Sequence, residues 1–317
     1  MDKLNWPSLE EIQTAHGRIA NFIHQTPILT CSAIDEIADC KIFFKCENFQ
    51  KVGAFKARGA ANAVLKLTME QRQYGVATHS SGNHAAALAN AATQAGIKSY
   101  IVMPTIAPQV KKEAVKGYGG KIIECEPNQN ARETTLQEVV KKTGATFIPP
   151  FDHLDVIEGQ ATCALEMWKE GIGFNAIIAP VGGGGLLSGT ALTTHYFSPD
   201  TLVFAGEPAG ADDAFRSMKS NSLLPVDNPK TIADGLLTSL GKINFQIIQE
   251  YVTAIFTVDD QEISDAMRLI YERMKVVIEP SSAVPLAAIL KNKPVFRNKK
   301  VGLILSGGNV DLAKLPF

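Results

Sequence analysis

The sequence lacks the features that would indicate binding to a nucleic acid or a membrane. It has 31 lysines and arginines against 32 acidic residues, so its formal net charge of −1 leaves no excess positive charge for a phosphate backbone. A polybasic segment that would bind an anionic membrane surface is also absent. Because there is no run of 18 or more apolar residues, and because the first seven residues have no apolar signal core, we expect neither a membrane span nor secretion.

Cysteine is scarce and scattered, which excludes several kinds of metal and redox site. No pair has the spacing of a zinc knuckle or of a CxxC redox motif. The five cysteines are Cys31, Cys40, Cys46, Cys125 and Cys163. Their number is odd, and reduced, mostly buried thiols are the simplest interpretation. We therefore expect a soluble protein of the cytoplasm.

The 317 residues are enough for two domains at about 150 residues per domain. Hydrophobic residues make up 45% of the chain and charged residues 20%, which is typical of a globular protein and excludes a disordered one. Short apolar runs alternate with helical patterns, and the runs predicted as strands are 41–45, 76–78, 99–103, 121–125, 146–148, 176–181, 202–205, 255–258 and 301–305. Apolar strands separated by helices predict a doubly wound, mostly parallel α/β protein.

Four strands and three helices between residues 76 and 148 are enough for a small α/β unit. We therefore predict a small, mobile domain over residues 71–152 and a large domain made of residues 1–70 and 153–317. Near the start of the chain, Ser8 and Glu11 have the spacing of a helix N-cap and its capping partner, which predicts a helix over residues 8–23. A late helix is predicted over residues 260–274. The least regular stretch, residues 211–240, is predicted to be rich in loops.

The clearest chemical signal is the run of four glycines from Gly182 to Gly185, between a buried strand and a helix. Glycine lets ligand atoms approach the backbone, and the free N–H groups of a helix N-terminus bind anions. A tight turn alone would not require four glycines, so we interpret this loop as a phosphate site. It has neither the lysine and hydroxyl residue of a P-loop nor the glycine spacing of a dinucleotide fingerprint.

Lys56 lies among small and aromatic residues at the start of a predicted helix, in the segment 53–60. Lysines usually lie on solvated faces, but the helix dipole and partial burial would both lower the pKa of this ammonium group. An amine with a lowered pKa is a good nucleophile for a Schiff base. Taken alone, the segment is also compatible with an ordinary surface lysine.

Two further loops follow predicted strands, at residues 79–84 (His-Ser-Ser-Gly-Asn-His) and 306–311 (Ser-Gly-Gly-Asn-Val-Asp). The first could hold a carboxylate or act in proton transfer, although a helix N-cap with a satisfied turn would look the same. Ligands of doubly wound folds bind at the carboxyl ends of strands, so these segments could meet in one crevice. A further segment with Glu207, Asp212 and Asp213 could bind a hard cation, but surface acids near a turn are a commoner explanation.

Taken together, the glycine run, the lysine segment and the two loops resemble the fold-type II enzymes that use pyridoxal 5′-phosphate (PLP), in the branch of the serine racemases and serine/threonine dehydratases. The resemblance extends from Thr26 to Asp311. It implies two doubly wound α/β domains with PLP in the cleft between them. It also implies that Lys56 binds PLP covalently and acts as a base on one face of the substrate.

The resemblance implies a role for each remaining residue of these segments. PLP would be bound by Phe55, Lys56, Asn83, Gly182, Gly183, Gly184, Gly185, Leu186 and Ser306, with Asn83 on the ring hydroxyl and Ser306 on the pyridine nitrogen. The substrate carboxylate would be bound by Ser80, Ser81, Gly82, Asn83 and His84. Ser81 stands where simple threonine dehydratases usually have alanine, and as in serine racemases it would be the acid and base opposite Lys56. Glu207, the Ala211 carbonyl and Asp213 would bind Mg²⁺, or Ca²⁺ or Mn²⁺ in its place, together with water.

The implied activity is deamination of L-serine and L-threonine to a 2-oxo acid and ammonia, with racemisation of L-serine to D-serine. On the same scaffold, 3-hydroxyaspartate dehydratase is the alternative, with Arg132 as a candidate for binding the second carboxylate. A non-catalytic small-molecule sensor is the alternative from another class, although the intact Lys56 argues against it. Two departures concern Ala54, where the family commonly has serine, and residues 149–153, which resemble the dehydratases more than the vertebrate racemases. The resemblance further suggests a homodimer and, in some members, an ATP effector site.

Overall fold

A computed structural model describes residues 6–317, and two β-sheets organise this part of the chain. The strands within this range are β1 (Ile28–Leu29), β2 (Lys41–Cys46), β3 (Val76–His79), β4 (Ser99–Pro104), β5 (Lys121–Cys125), β6 (Thr146–Phe147), β7 (Ala176–Pro180), β8 (Leu202–Pro208), β9 (Ala254–Val258) and β10 (Lys300–Leu305). The α-helices are α1 (Leu9–Ile19), α2 (Ser32–Ala38), α3 (Lys56–Leu65), α4 (Met69–Tyr74), α5 (Asn83–Gln94), α6 (Gln109–Gly117), α7 (Gln129–Thr143), α8 (Leu154–Lys169), α9 (Gly185–Phe197), α10 (Asp213–Ser220), α11 (Lys242–Tyr251), α12 (Asp260–Met274), α13 (Pro280–Lys291) and α14 (Lys293–Phe296). The first five residues of the predicted large domain lie outside the described range.

The larger sheet has six strands in the order β1-β2-β10-β7-β8-β9, and all neighbours are parallel except β1 and β2. β10 pairs with β2 along its whole length, from Lys300 opposite Lys41 to Leu305 opposite Cys46. The other edge of β10 pairs with β7. Every residue of β7 is buried, as expected for a strand in a sheet that helices cover on both faces.

The smaller sheet has four parallel strands in the order β5-β4-β3-β6. With helices α5, α6 and α7 between these strands, it contains the four strands and three helices predicted for residues 76–148. The predicted α/β fold with mostly parallel strands is therefore confirmed. The division into domains at residues 71 and 153 stays a prediction.

Helix α1 begins as the spacing of Ser8 and Glu11 predicts. Ser8 Oγ accepts a hydrogen bond from Glu11 N–H at 3.2 Å, and Glu11 Oε2 accepts one from Ser8 N–H at 2.8 Å. These reciprocal bonds form a capping box, which satisfies two N–H groups at the start of the helix. The helix ends at Ile19 and not at the predicted residue 23.

No helix between residues 6 and 317 is both long and apolar enough to cross a membrane.

Several helices are missed by the sequence patterns. α10 lies inside the stretch 211–240, so the prediction of loops is wrong for residues 213–220. α13 is missed because residues 281–289 are all buried, and a helix without a polar face has no 3.6-residue pattern of hydrophobicity.

A buried cluster of charges anchors helix α3, which begins at Lys56. Arg58 is inaccessible to solvent, and its guanidinium donates to both carboxylate oxygens of Glu47 at 2.7 and 2.8 Å. It also donates to both oxygens of Glu166, each at 2.8 Å, and Lys45 Nζ adds a bond of 2.6 Å to the same carboxylate. Because these residues lie on β2, the turn after it, α3 and α8, the cluster holds the lysine-bearing helix against the larger sheet.

Candidate active site

A cavity of about 1370 Å³ brings the predicted segments together. Both sheets contribute to its wall, since His79 ends β3, Pro180 ends β7 and Ser306 follows β10. The predicted cofactor and substrate residues on the wall are Phe55, Lys56, Ser80, Ser81, Gly82, Asn83, His84, Gly182, Gly183, Gly184, Gly185, Leu186 and Ser306. The structure thus brings all of them to one space at the carboxyl ends of strands, where doubly wound folds bind ligands.

Lys56 brings a primary amine to this cavity. Its Nζ donates a hydrogen bond of 2.7 Å to the Pro150 carbonyl and lies 5.1 and 5.9 Å from the ring centres of Phe55 and Phe151. Burial lowers the pKa of Lys56 to about 8, and the nearby Glu279 carboxylate opposes that decrease. A substantial fraction of this amine is therefore unprotonated at mildly alkaline pH, which allows it to act as a nucleophile or a base.

The tetraglycine loop packs so closely against neighbouring residues that larger side chains would not fit there. A Cβ atom on Gly183 would overlap the Phe151 ring, and a Cβ on Gly184, whose φ is +93°, would contact Leu240 and Asn244. Helix α9 begins at Gly185, so the first N–H groups of that helix have no acceptor within the helix. The loop is held in place by Asn244, whose Nδ2 donates to the Gly183 carbonyl at 2.9 Å. Free N–H groups and open space at a helix N-terminus suit a phosphate group.

The loop of residues 80–84 leads into the N-terminus of helix α5, which also has free N–H groups for an anion. His84 is buried in this loop, and its Nε2 lies 3.1 Å from the Ile148 carbonyl and donates to it. Burial, and then the charge of Lys56, lowers the pKa of His84 to about 3, so the ring is neutral. Its Nδ1 can only accept a hydrogen bond. A carboxylate would therefore meet the backbone N–H of His84 and not its ring.

Ser306 presents a neutral hydroxyl to the cavity. Its Oγ lies 3.1 Å from Ser282 Oγ, which in turn donates to the Gly307 carbonyl at 2.6 Å and accepts from the Gly307 N–H at 2.7 Å. These bonds fix the hydroxyl group at the end of β10. A neutral hydroxyl at this position can hydrogen-bond to a ring nitrogen without forcing that nitrogen to carry a proton.

Glu279 is a residue of the cavity wall that the sequence patterns missed. It lines the cavity at the start of α13, is 4% exposed, and is next to Asn83, whose Nδ2 lies 3.0 and 3.1 Å from its two carboxylate oxygens. Burial raises the pKa of Glu279 to about 7. The only local signal is an acidic residue directly before a proline, which is common at a helix start. Its proximity to Asn83 depends on the fold.

Arg132 places a positive charge on the cavity wall, at the start of α7. Its Nε is buried and has no hydrogen-bond partner among the described residues. The neighbouring His79 ring stacks on Phe147 with 5.7 Å between ring centres, and burial lowers the pKa of His79. A guanidinium on a cavity wall with an unpartnered N–H group can donate to an anionic group of a ligand.

The acidic segment at the end of β8 and the start of α10 has two buried carboxylates. Glu207 accepts hydrogen bonds from the Ala214 and Phe215 N–H groups, both at 2.8 Å, and burial raises its pKa to about 8. Asp213 accepts a bond of 2.7 Å from the Leu240 N–H through Oδ2, while its Oδ1 is buried without a partner among residues 6–317.

These donors fit a hard cation in their chemistry, because both are oxygen ligands and one of them is unpartnered. The third predicted ligand is the carbonyl of Ala211, a buried residue that ends the 3₁₀ turn between the two acids. The described residues contain no group of three or more His, Cys, Asp or Glu side chains that could hold a metal ion. Asp212 pairs instead with Arg216, at 2.7 Å.

Comparisons with known proteins agree over nearly the full chain. The family described as pyridoxal-phosphate dependent enzyme matches residues 19–307. The β-hydroxyaspartate dehydratase of Paracoccus denitrificans is 50% identical over 311 residues, which cover 98% of this chain and 99% of that protein. The crystal structure of serine racemase from Dictyostelium discoideum matches with a TM-score of 0.93 and 48% identity, over 96% of this chain and 99% of that chain. The crystal structure of the T.th. threonine deaminase matches with a TM-score of 0.92 and 40% identity, over 97% of this chain and 100% of that chain.

Proposed function

The chain belongs to the family of pyridoxal-phosphate dependent enzymes, and from this premise we propose that it deaminates L-serine and L-threonine and also interconverts L- and D-serine. The observation that carries the proposal is the position of Lys56, whose amine lies in the same cavity as the tetraglycine loop and the loop of residues 80–84. Relatives named serine racemase, threonine deaminase and β-hydroxyaspartate dehydratase support this class of reaction.

The residues present fit PLP. Its phosphate would be held by the N–H groups of Gly182 to Leu186, and its ring by Phe55, Asn83 and Ser306, with Lys56 as the covalent attachment. Bound PLP supplies an electron sink for the negative charge that develops on the α-carbon of an amino acid. This assignment is supported by the four glycines that line the cavity at the N-terminus of α9 and by the lowered pKa of Lys56.

Other groups of the cavity would bind the substrate and transfer its protons. The free N–H groups at the start of α5 would bind the substrate carboxylate. Lys56 Nζ would remove the α-proton, because its pKa of about 8 suits a base near neutral pH. Ser81 would exchange a proton on the opposite face. In the deamination of serine, the α-proton and the β-hydroxyl leave as water, and hydrolysis of the resulting enamine takes up one water, so that serine yields pyruvate and ammonia.

The test is an assay that follows pyruvate and D-serine in the same reaction with L-serine. The purified protein should show a visible absorbance band with PLP, and Lys56→Ala should remove both the band and the two products. Substitution of Lys66 by alanine is the control, since that residue pairs with Asp155 and Glu158 outside the cavity. A wild-type protein that forms no band with added PLP would favour the non-catalytic sensor.

A second candidate, dehydration of 3-hydroxyaspartate, is favoured by Arg132. Arg132 lines the cavity and its Nε has no hydrogen-bond partner among the described residues, so a second carboxylate would be a suitable partner for its guanidinium. We expect Arg132→Gln to lower kcat/KM for 3-hydroxyaspartate by about 100-fold, the loss of roughly one charge-assisted bidentate contact, and to change that for L-serine by a few-fold at most. Equal losses for both substrates would count against a subsite for the second carboxylate.

Several further assignments accompany this proposal. Glu207, Asp213 and the Ala211 carbonyl would bind Mg²⁺, or Ca²⁺ or Mn²⁺, and the unpartnered Asp213 Oδ1 supports this. The cytoplasm is the proposed location, supported by cysteines that are all free. A homodimer, an ATP effector and a mobile small domain over residues 71–152 rest on the resemblance. Light scattering and assays with and without ATP would test the first two.

A further inference from the structure

A closed ring of hydrogen bonds joins Glu279, Asn83 and Asn309 in the cavity wall. Asn83 Nδ2 lies 3.0 and 3.1 Å from the two carboxylate oxygens of Glu279. Asn309 Nδ2 donates to Asn83 Oδ1 at 2.9 Å, and the Asn309 N–H donates to Glu279 Oε2 at 3.2 Å. Asn83 begins helix α5 of the smaller sheet, whereas Glu279 and Asn309 lie near the larger sheet, so the ring connects both sides of the cavity.

The ring permits one orientation of the Asn83 carboxamide. A half-turn would place Oδ1 against the Glu279 carboxylate and Nδ2 against the amide of Asn309, so two attractive contacts would become repulsive. Asn309 is itself fixed, because its Nδ2 also donates to the Val52 carbonyl at 2.7 Å. The Asn83 Nδ2 carries two hydrogens, and one of them suffices for the two oxygens of Glu279. The other remains for an acceptor in the cavity.

On the premise that the cavity binds PLP, as proposed above, we infer that Glu279 is a positioning residue that orients the Asn83 carboxamide, with one N–H group directed at the ring oxygen of the cofactor. Glu279 acts through Asn83, and Asn309 completes the orientation. An N–H donor stabilises the ionised form of a ring oxygen, whereas a carboxamide oxygen at the same position would repel it. The ligand chemistry that this arrangement recognises is an aromatic ring with an ionisable hydroxyl group.

The charges around Glu279 agree with an acceptor role. Burial and the charge of Asp234 raise its pKa, whereas the hydrogen bonds from Asn83 and Asn309 and the charge of Lys111 lower it, and the result is about 7. The group is therefore largely ionised at pH 8 and accepts hydrogen bonds with both oxygens. Measurements at pH 8 therefore report on the carboxylate form of Glu279. Lys56, whose pKa is about 8, also lies near this carboxylate.

A double-mutant cycle on PLP binding tests the inference. The affinity of the cofactor-free protein for PLP would be measured at pH 8 for the wild type, Glu279→Leu, Asn83→Ala and the double variant, by equilibrium dialysis and by the visible absorbance band. We expect each single substitution to weaken binding about tenfold, as for one lost hydrogen bond. The double variant should be no more than about twofold weaker than Asn83→Ala alone, since coupled residues are not additive.

If the leucine variant does not fold, Glu279→Gln, which keeps the side-chain volume, takes its place in the cycle. We expect Glu279→Gln to weaken PLP binding a few-fold in the wild type and to have no effect on PLP binding in the Asn83→Ala variant. The matched control is Glu158→Gln, which removes a buried carboxylate that pairs with Arg18 and Lys66 outside the cavity, and it should leave PLP affinity unchanged. Additive losses, or Glu279 variants that bind PLP like the wild type, would overturn this inference alone. A wild type that binds no PLP would overturn the proposed function as well.

Discussion

The amine of Lys56 illustrates how burial sets the chemistry of a single residue, at a cost in stability. Burial holds its pKa at about 8, below the 10.5 of an exposed lysine. The folded protein therefore binds this proton more weakly than the unfolded chain does. The same environment that makes the amine reactive thus destabilises the cofactor-free protein at neutral pH.

We expect Lys56→Met to stabilise the cofactor-free protein at pH 7 while abolishing activity. The buried lysine lowers the free energy of unfolding, and this destabilisation is present in full below pH 8. It decreases as the pH rises toward 10.5, because the unfolded chain then also loses the proton. The advantage of the variant over the wild type should therefore decrease by about 1–3 kcal/mol across this range. Urea unfolding of both proteins at pH 7 and 10 measures it. An advantage that is independent of pH would contradict the lowered pKa.

Ser81 gives a second prediction for a single residue. Racemisation needs a proton donor on the face opposite Lys56, whereas elimination needs only the removal of the α-proton and the loss of the hydroxyl. Ser81→Ala should therefore reduce D-serine formation by at least about tenfold more than pyruvate formation, within the range for a lost general acid. The two products measured in one reaction give the ratio. Equal losses would argue against two bases.

At the scale of single residues, the sequence identifies those that lie in a local pattern. Lys56 and the glycines from Gly182 to Gly185 can be recognised because their neighbours in the chain share their role, and the structure places them in one cavity. Glu279 and the fixed orientation of Asn83 could not be predicted in this way. They arise from a contact between residues 196 positions apart, which no local spacing records.

At the scale of elements, helix α3 depends on the buried Arg58. Its guanidinium satisfies the buried carboxylates of Glu47 and Glu166. Arg58→Leu should lower the free energy of unfolding by about 3–5 kcal/mol, because it leaves buried negative charge uncompensated. Denaturant unfolding measures the change. Arg297→Leu, which removes an exposed pair with Asp39, should change stability by less than about 1 kcal/mol and is the control.

Elements could be predicted where the chain marks their ends or where a short apolar run indicates a buried strand, as for β7. β5 and α12 have the predicted bounds, and an acidic first turn marks the start of α12. α13 has apolar residues on all sides, and its hydrophobic pattern contains no period to read. The eight residues of α10 were not recognised as a helix because turn-forming residues follow them in the chain.

At the scale of the whole molecule, the proposed metal site gives a prediction about stability. A cation that binds only the folded state stabilises it by about 2.7 kcal/mol when its concentration is 100 times Kd. EDTA should therefore lower the melting temperature of the wild type, and added Mg²⁺ should restore it. Asp213→Asn should melt at the same temperature with and without EDTA. An unchanged wild type, with no metal found by elemental analysis, would remove the site.

The sequence predicts the class of the whole fold but not the order of its strands. Apolar runs separated by helices indicate parallel sheets, and that much is confirmed. The neighbours of a strand depend instead on which helix faces pack together, and these contacts join distant parts of the chain. The position of β10 between β2 and β7 is the clearest example.

This central place of β10 has a consequence for biosynthesis. β2 leaves the ribosome about 250 residues before its partner at 300–305, a delay of roughly 10–50 s at usual elongation rates. Until then β2 and β7 have unpaired edges, and the serine that follows β10 is missing from the cofactor cavity. The nascent chain should therefore need protection from aggregation, for example by a chaperone. It should acquire affinity for PLP only after residue 306 has been added.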